Sequence, residues 1–161
     1  MNAYHYVKQM MESEYFHCQW YLLWRKPDSY FELVLQCPLE NKHCRKLIDS
    51  NLQTLDETEF LYQFSLIFYN QSKVFVDKED ALVSFPIDII NGIRQGDVLA
   101  IVRYLKKLSG SVRIAWHEFL SSASEISEFA LEWDEKEYQT IRRQLIEKKM
   151  YSFDRLYYMD Q

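Results

Sequence analysis

A chain of 161 residues, 48% hydrophobic and 27% charged, has the length and composition of one ordered globular domain spanning 1–161, not of a disordered segment. Its net charge of -5 argues against a general affinity for nucleic acid, which needs a basic face. Only three glycines accompany twelve tyrosines, ten phenylalanines and four tryptophans, so glycine-rich phosphate loops are excluded while aromatic surface is abundant.

Val7, Met10, Met11, Tyr15 and Cys18 recur at helical spacing and predict a helix over most of the first two dozen residues, stopped by Pro27. Part of Phe16 to Trp24 also reads as strand. Tyr30 to Cys37 is rich in β-formers and predicts a strand closed by Pro38. Asn41 to Leu55 reads as a short helix through Cys44, Leu47, Ile48 and Leu52. In Phe60 to Tyr69 the alternation of Phe60, Tyr62, Phe64, Leu66 and Phe68 is the clearest strand signal in the chain. Asn70-Gln71-Ser72 predicts a turn, with Lys73 to Asp77 as its return strand, and Ala81 to Phe85 a further strand.

Helical periods follow. Val98, Ile101, Val102, Leu105 and Leu108 form a stripe ended by Gly110. Val112, Trp116, Phe119, Ala123, Ile126, Ala130 and Trp133 then step by alternate fours and threes, which predicts one long amphipathic helix. Asp134 and Glu137 resemble a capping box opening a last helix through Tyr138, Ile141 and Leu145. The sum is an α+β fold: a small, mostly antiparallel sheet of three or four strands with helices packed on it, and a helical C-terminal half.

Cys18, Cys37 and Cys44 are odd in number and show no framework spacing. Together with an N-terminus lacking a basic, apolar leader, they predict free thiols in a cytoplasmic protein. No run approaches the length of a membrane span. His43-Cys44 and His17-Cys18 lack the close ligand pairs of structural zinc, and His117-Glu118 lacks the second histidine of a zinc-protease helix, so neither metal nor cofactor is expected.

One pattern carries catalytic chemistry. Pro27-Asp28 followed by Glu40-Asn41-Lys42 resembles the signature of restriction-type nucleases, which implies a magnesium site on Asp28 and Glu40 with Lys42 activating water. The basic clusters Lys42, His43, Arg45, Lys46 and Arg142, Arg143, Lys148, Lys149 read as partners for the chain's own acids.

The acidic stretch points elsewhere. Glu118, Glu125 and Glu132 are seven apart on the long helix, Glu128 lies nearby, and Asp134 and Glu135 follow, against the single base Lys136. Such a ridge suits a partner protein with a basic surface, and exposed tyrosines suit interface hot spots. The expected function is therefore binding without catalysis: a small acidic cytoplasmic protein, such as an immunity protein or antitoxin, that neutralises a basic nuclease by occlusion. The alternatives are the metal-dependent nuclease and a dimerising structural or regulatory subunit.

Overall fold

A computed structural model of the chain describes residues 1–26, 29–40, 52–54, 59–73, 81–121 and 129–159. In chain order these form α1 (Ala3–Ser13), β1 (Gln19–Lys26), β2 (Tyr30–Glu40), β3 (Leu52–Thr54), β4 (Glu59–Asn70), β5 (Ala81–Ile87) and β6 (Ile93–Arg94). There follow α2 (Gln95–Gly110), α3 (Val112–Ser121), α4 (Glu135–Glu147) and β7 (Arg155–Leu156). The fold is α+β, and its helices α2 to α4 all lie in the C-terminal half.

β2 lies between β1 and β4 and is antiparallel to both, from Gln19 opposite Gln36 on one side to Glu40 opposite Glu59 on the other. β3 and β5 share the far edge of β4: β3 runs antiparallel beside Phe60–Tyr62, and β5 runs parallel to Ser65–Asn70. Among the described residues the sheet is thus five-stranded and mixed, which corrects the expectation of a small sheet of three or four strands that is mostly antiparallel. The turn after β4 is real, since the Asn70 carboxamide oxygen accepts from the Ser72 N–H at 3.1 Å and hydroxyl at 2.7 Å. The return strand expected over Lys73 to Asp77 lies outside the described residues except for Lys73. β5 arrives later with the opposite direction, and a parallel partner needs a longer crossover than a hairpin supplies.

Alternation decides which face is core. Phe31, Leu33, Leu35, Cys37 and Leu39 of β2 and Tyr62, Phe64, Leu66 and Phe68 of β4 are buried in one cluster with Val7 and Met11 of α1 and Val98, Ile101, Val102 and Leu105 of α2. Phe31 stacks on Phe68 at 5.0 Å between centroids. Each such side chain contributes roughly 1.5–3 kcal/mol by leaving water. The second face is buried at its centre too: Glu32, Val34, Ser65 and Ile67 are nearly inaccessible. There Arg25 Nε pairs with Glu32 Oε1 at 2.7 Å, and the Ser65 hydroxyl donates to Glu32 Oε2 at 2.8 Å.

Several expectations are corrected. α1 stops at Ser13, leaving Cys18 at the entrance to β1. β2 continues through Pro38, because its ladder with β1 reaches only as far as Gln36, opposite the first residue of β1, and a missing N–H is tolerated where the strand becomes an edge. Leu52, assigned to a helix over Asn41 to Leu55, lies in β3 with Gln53 and Thr54; the remaining residues of that stretch lie outside the described ones. Cys18 and Cys37 are joined in a disulfide, with Cα atoms 4.7 Å apart, where free thiols were expected. The β1–β2 register sets them side by side, a proximity that spacing along the chain does not reveal.

Of the long helix predicted from Val112 to Trp133, the described residues show α3 over Val112–Ser121, and the helix does not reach Trp133. Residues 129–134 are neither helix nor strand. Two buried tyrosines take over the N–H groups a helix would have used: the Tyr62 hydroxyl accepts from Leu131 at 3.1 Å and the Tyr104 hydroxyl from Asp134 at 2.9 Å. Phe129 packs into the core against Tyr62 and Trp116. Asp134 does cap α4, accepting from Lys136 and Glu137 N–H. The reciprocal half of the capping box is replaced, since the Asp134 N–H goes to Tyr104 and the Glu137 carboxylate faces Lys107 at 3.7 Å.

The C-terminal segment folds back on the body. Leu156 and Tyr158 are buried, and β7 pairs with β6. Gly92 turns into that ribbon at φ 66°, where a Cβ would strike the Leu156 carbonyl.

Candidate functional site

Of the six acids expected to form one ridge, Glu125 and Glu128 lie outside the described residues. Glu118 is exposed on α3, whereas Glu132, Asp134 and Glu135 are exposed before and at the start of α4. The break in the helix removes the sevenfold alignment of Glu118 with Glu132. What stands in its place is a compact acidic shoulder: Glu132, Asp134, Glu135 and Glu137 within six residues. It is rigid. Asp134 is tied to α4 by its cap and to Tyr104 through its N–H. Glu135 accepts from the Trp133 indole N–H and from Gln139, each at 3.0 Å. The positive end of the α4 dipole stabilises acids at this position.

For the nuclease-like pattern, Asp28 and Lys42 lie outside the described residues. Glu40 is the last residue of β2, directly opposite Glu59, and the Trp116 indole N–H donates to its carbonyl at 2.7 Å. A cavity of about 470 Å³ beside it is lined by Glu40, Glu59, Arg113 and His117, the last two one turn apart on α3. Among the described residues no three His, Cys, Asp or Glu side chains converge as a metal site, and no helix is long and apolar enough to cross a membrane.

A third constellation, not anticipated from the sequence as a group, joins α2, α4 and the C-terminal segment. Asp97 Oδ1 accepts from Arg142 Nε at 2.7 Å and from the Tyr151 hydroxyl at 2.6 Å, and the Arg142 guanidinium lies 5.3 Å over the Tyr151 ring. The one foothold in the sequence was the reading of Arg142 as a partner for an internal acid. Its acid, Asp97, lies 45 residues away, beyond any local pattern.

Burial, and then the hydrogen bond to Asp97, push the Tyr151 phenol up to about 12. Burial and the Asp97 charge raise Tyr138 further still. Both stand above the ordinary phenol value near 10. The stability these neutral phenols contribute is therefore complete below about pH 10 and is lost as pH rises through their folded values. Denaturant midpoints measured from pH 9 to 12 are expected to fall steeply above pH 10, and less steeply in Tyr151→Phe. Profiles of equal slope in the two proteins would remove Tyr151 from the account.

A family model described as a protein of unknown function, DUF3013, matches residues 1–155. The crystal structure of a conserved protein of unknown function from Enterococcus faecalis is similar in fold, with a TM-score of 0.78 at 22% identity, covering 97% of this chain and 94% of that one. No curated protein matches the chain.

Proposed function

We propose a function for a chain that belongs to the DUF3013 family, a family of proteins of unknown function: it binds another protein and acts by occlusion, as a cytoplasmic immunity protein or antitoxin covers a basic nuclease. The observation that carries this reading is the compact acidic shoulder at Glu132, Asp134, Glu135 and Glu137, with Glu118 on the preceding helix. The Asp134 and Glu135 carboxylates, held by the cap, the Trp133 indole and Gln139, lose little further freedom on docking, which lowers the entropic cost of association. Their shared sign speeds encounter with a basic surface.

The test is affinity capture from the source cell with wild type and a Glu118→Lys, Glu132→Lys double variant. Among the described residues neither side chain forms an ion pair, so the double variant should stay within about 0.5 kcal/mol of wild-type stability. Recovery of the specific partner is expected to fall at least about tenfold and to show strong salt dependence in the wild type. Undiminished recovery with the double variant would overturn the reading. A second reading, metal-dependent hydrolysis, is favoured by the cavity that sets Glu40 opposite Glu59 beside His117. Magnesium-dependent cleavage of nucleic acid by the purified chain, abolished in Glu40→Gln, would put that reading first.

A further inference from the structure

A separate cavity of about 500 Å³ lies where β6 and β7 meet the start of α2 and one side of α4. Arg94 and Arg155 line it and are direct cross-strand partners in the ribbon, so both stand on the same face. Two like charges placed this way repel. Three other arginines are paired with acids: Arg25 with Glu32, Arg103 with Glu14 and Arg142 with Asp97. Arg94 and Arg155 have no carboxylate partner among the described residues. Arg94 lies 5.3 Å over the Phe153 ring, and Arg155 makes one long contact, 3.5 Å, to the Asn91 carboxamide.

Two acids nearby are already engaged. Asp97, which also lines the cavity, is matched by Arg142 and Tyr151. Asp88 accepts from the Ile90 and Asn91 N–H groups. The uncompensated charge of the cavity is therefore that of the two ribbon guanidiniums.

A second, independent observation concerns Tyr138. It lines the same cavity at only 6% exposure, its ring against Phe85 and Trp133, and its hydroxyl hydrogen-bonds to no described residue. A buried hydroxyl without a partner is costly and calls for one. Phe85 and Ile101 add apolar wall.

We infer that this cavity binds a small organic oxyanion, a carboxylate or phosphate monoester on a flat apolar body. Arg94 and Arg155 grip its oxygens through charge-assisted hydrogen bonds, and the Tyr138 hydroxyl donates a further one. Phe85 and Ile101 cover the apolar body. The volume falls in the range of small-molecule sites. The inference goes beyond the proposed occlusion, since it uses cations on the ribbon and not the acidic shoulder.

Calorimetric titration of the full chain with phenyl phosphate, benzoate and inorganic phosphate tests it. Saturable one-to-one binding is expected for phenyl phosphate or benzoate, and the tighter of the two identifies the head group. Inorganic phosphate, lacking the apolar body, should bind more weakly. Arg94→Gln with Arg155→Gln is expected to weaken binding at least about tenfold, and Tyr138→Phe about three- to fivefold. Arg155→Gln alone, a change at an exposed side chain, stands in if the double variant does not fold. Absence of saturable binding with all three probes, or equal affinity in wild type and Arg155→Gln, would overturn the assignment.

Discussion

Replacing Cys18 and Cys37 by serine is expected to lower stability by about 3 kcal/mol, the entropic value of closing a loop of this size, and the thermal midpoint by roughly 6–12 °C. β1 is an edge strand whose ladder is made with β2 alone, and the bond sits at its start. Without it, β1 is held to the sheet by packing and one ladder, so β1 amides should lose hydrogen-exchange protection well before those of β4. Thiol titration of the unfolded, oxidised chain should find one reactive cysteine of three, and all three after reduction. Three free thiols in chain purified without reductant, with no stability change on substitution, would refute the bond. The same titration on thiols trapped in intact cells bears on the proposed cytoplasmic location, because a reducing compartment works against this bond.

The second large effect is expected at Gly96. A Cβ there would collide with the Tyr151 ring, which is buried and hydrogen-bonded to Asp97. Overpacking costs roughly 1–3 kcal/mol, and displacing the ring also breaks a charge-assisted hydrogen bond worth roughly 1.5–3. Against this stands the helix propensity that alanine adds, about 1 kcal/mol. A net loss of about 3 kcal/mol is expected for Gly96→Ala. Gly110→Ala is the control: a Cβ there meets nothing within 4 Å, so stability should hold or rise. Removing the ring in a Gly96→Ala, Tyr151→Ala protein should bring it close to Tyr151→Ala alone. Equal denaturant midpoints for Gly96→Ala and Gly110→Ala would show that the ring gives way freely.

What was legible in the chain was what is written locally. Alternation through Tyr62, Phe64, Leu66 and Phe68 marked β4, the Val98 to Leu105 stripe marked α2, and Asp134 marked the start of α4. What escaped depends on partners distant in sequence. The periodicity from Val112 to Trp133 is genuine, yet the Tyr62 and Tyr104 hydroxyls claim backbone donors of residues 129–134, and the helix yields. Cys18 meets Cys37 only because two strands align. Arg142 finds Asp97 across two helices, and Arg94 meets Arg155 through a ribbon of two residues each, too short to leave a pattern. The acidic residues were visible by composition, but their geometry was not, because it rested on a helix that does not extend through residues 129–134.

The Arg25–Glu32–Ser65 contact ties three adjacent strands together through one carboxylate. Sliding β2 by a single position would rotate Glu32 to the side occupied by Phe31 and Leu33, stranding an ionised group among hydrocarbon. Sliding it by two would keep the side but pull the charge away from Arg25. Misaligned versions of this sheet are therefore penalised in both cases, so the central strands have one alignment in which every neighbour is satisfied.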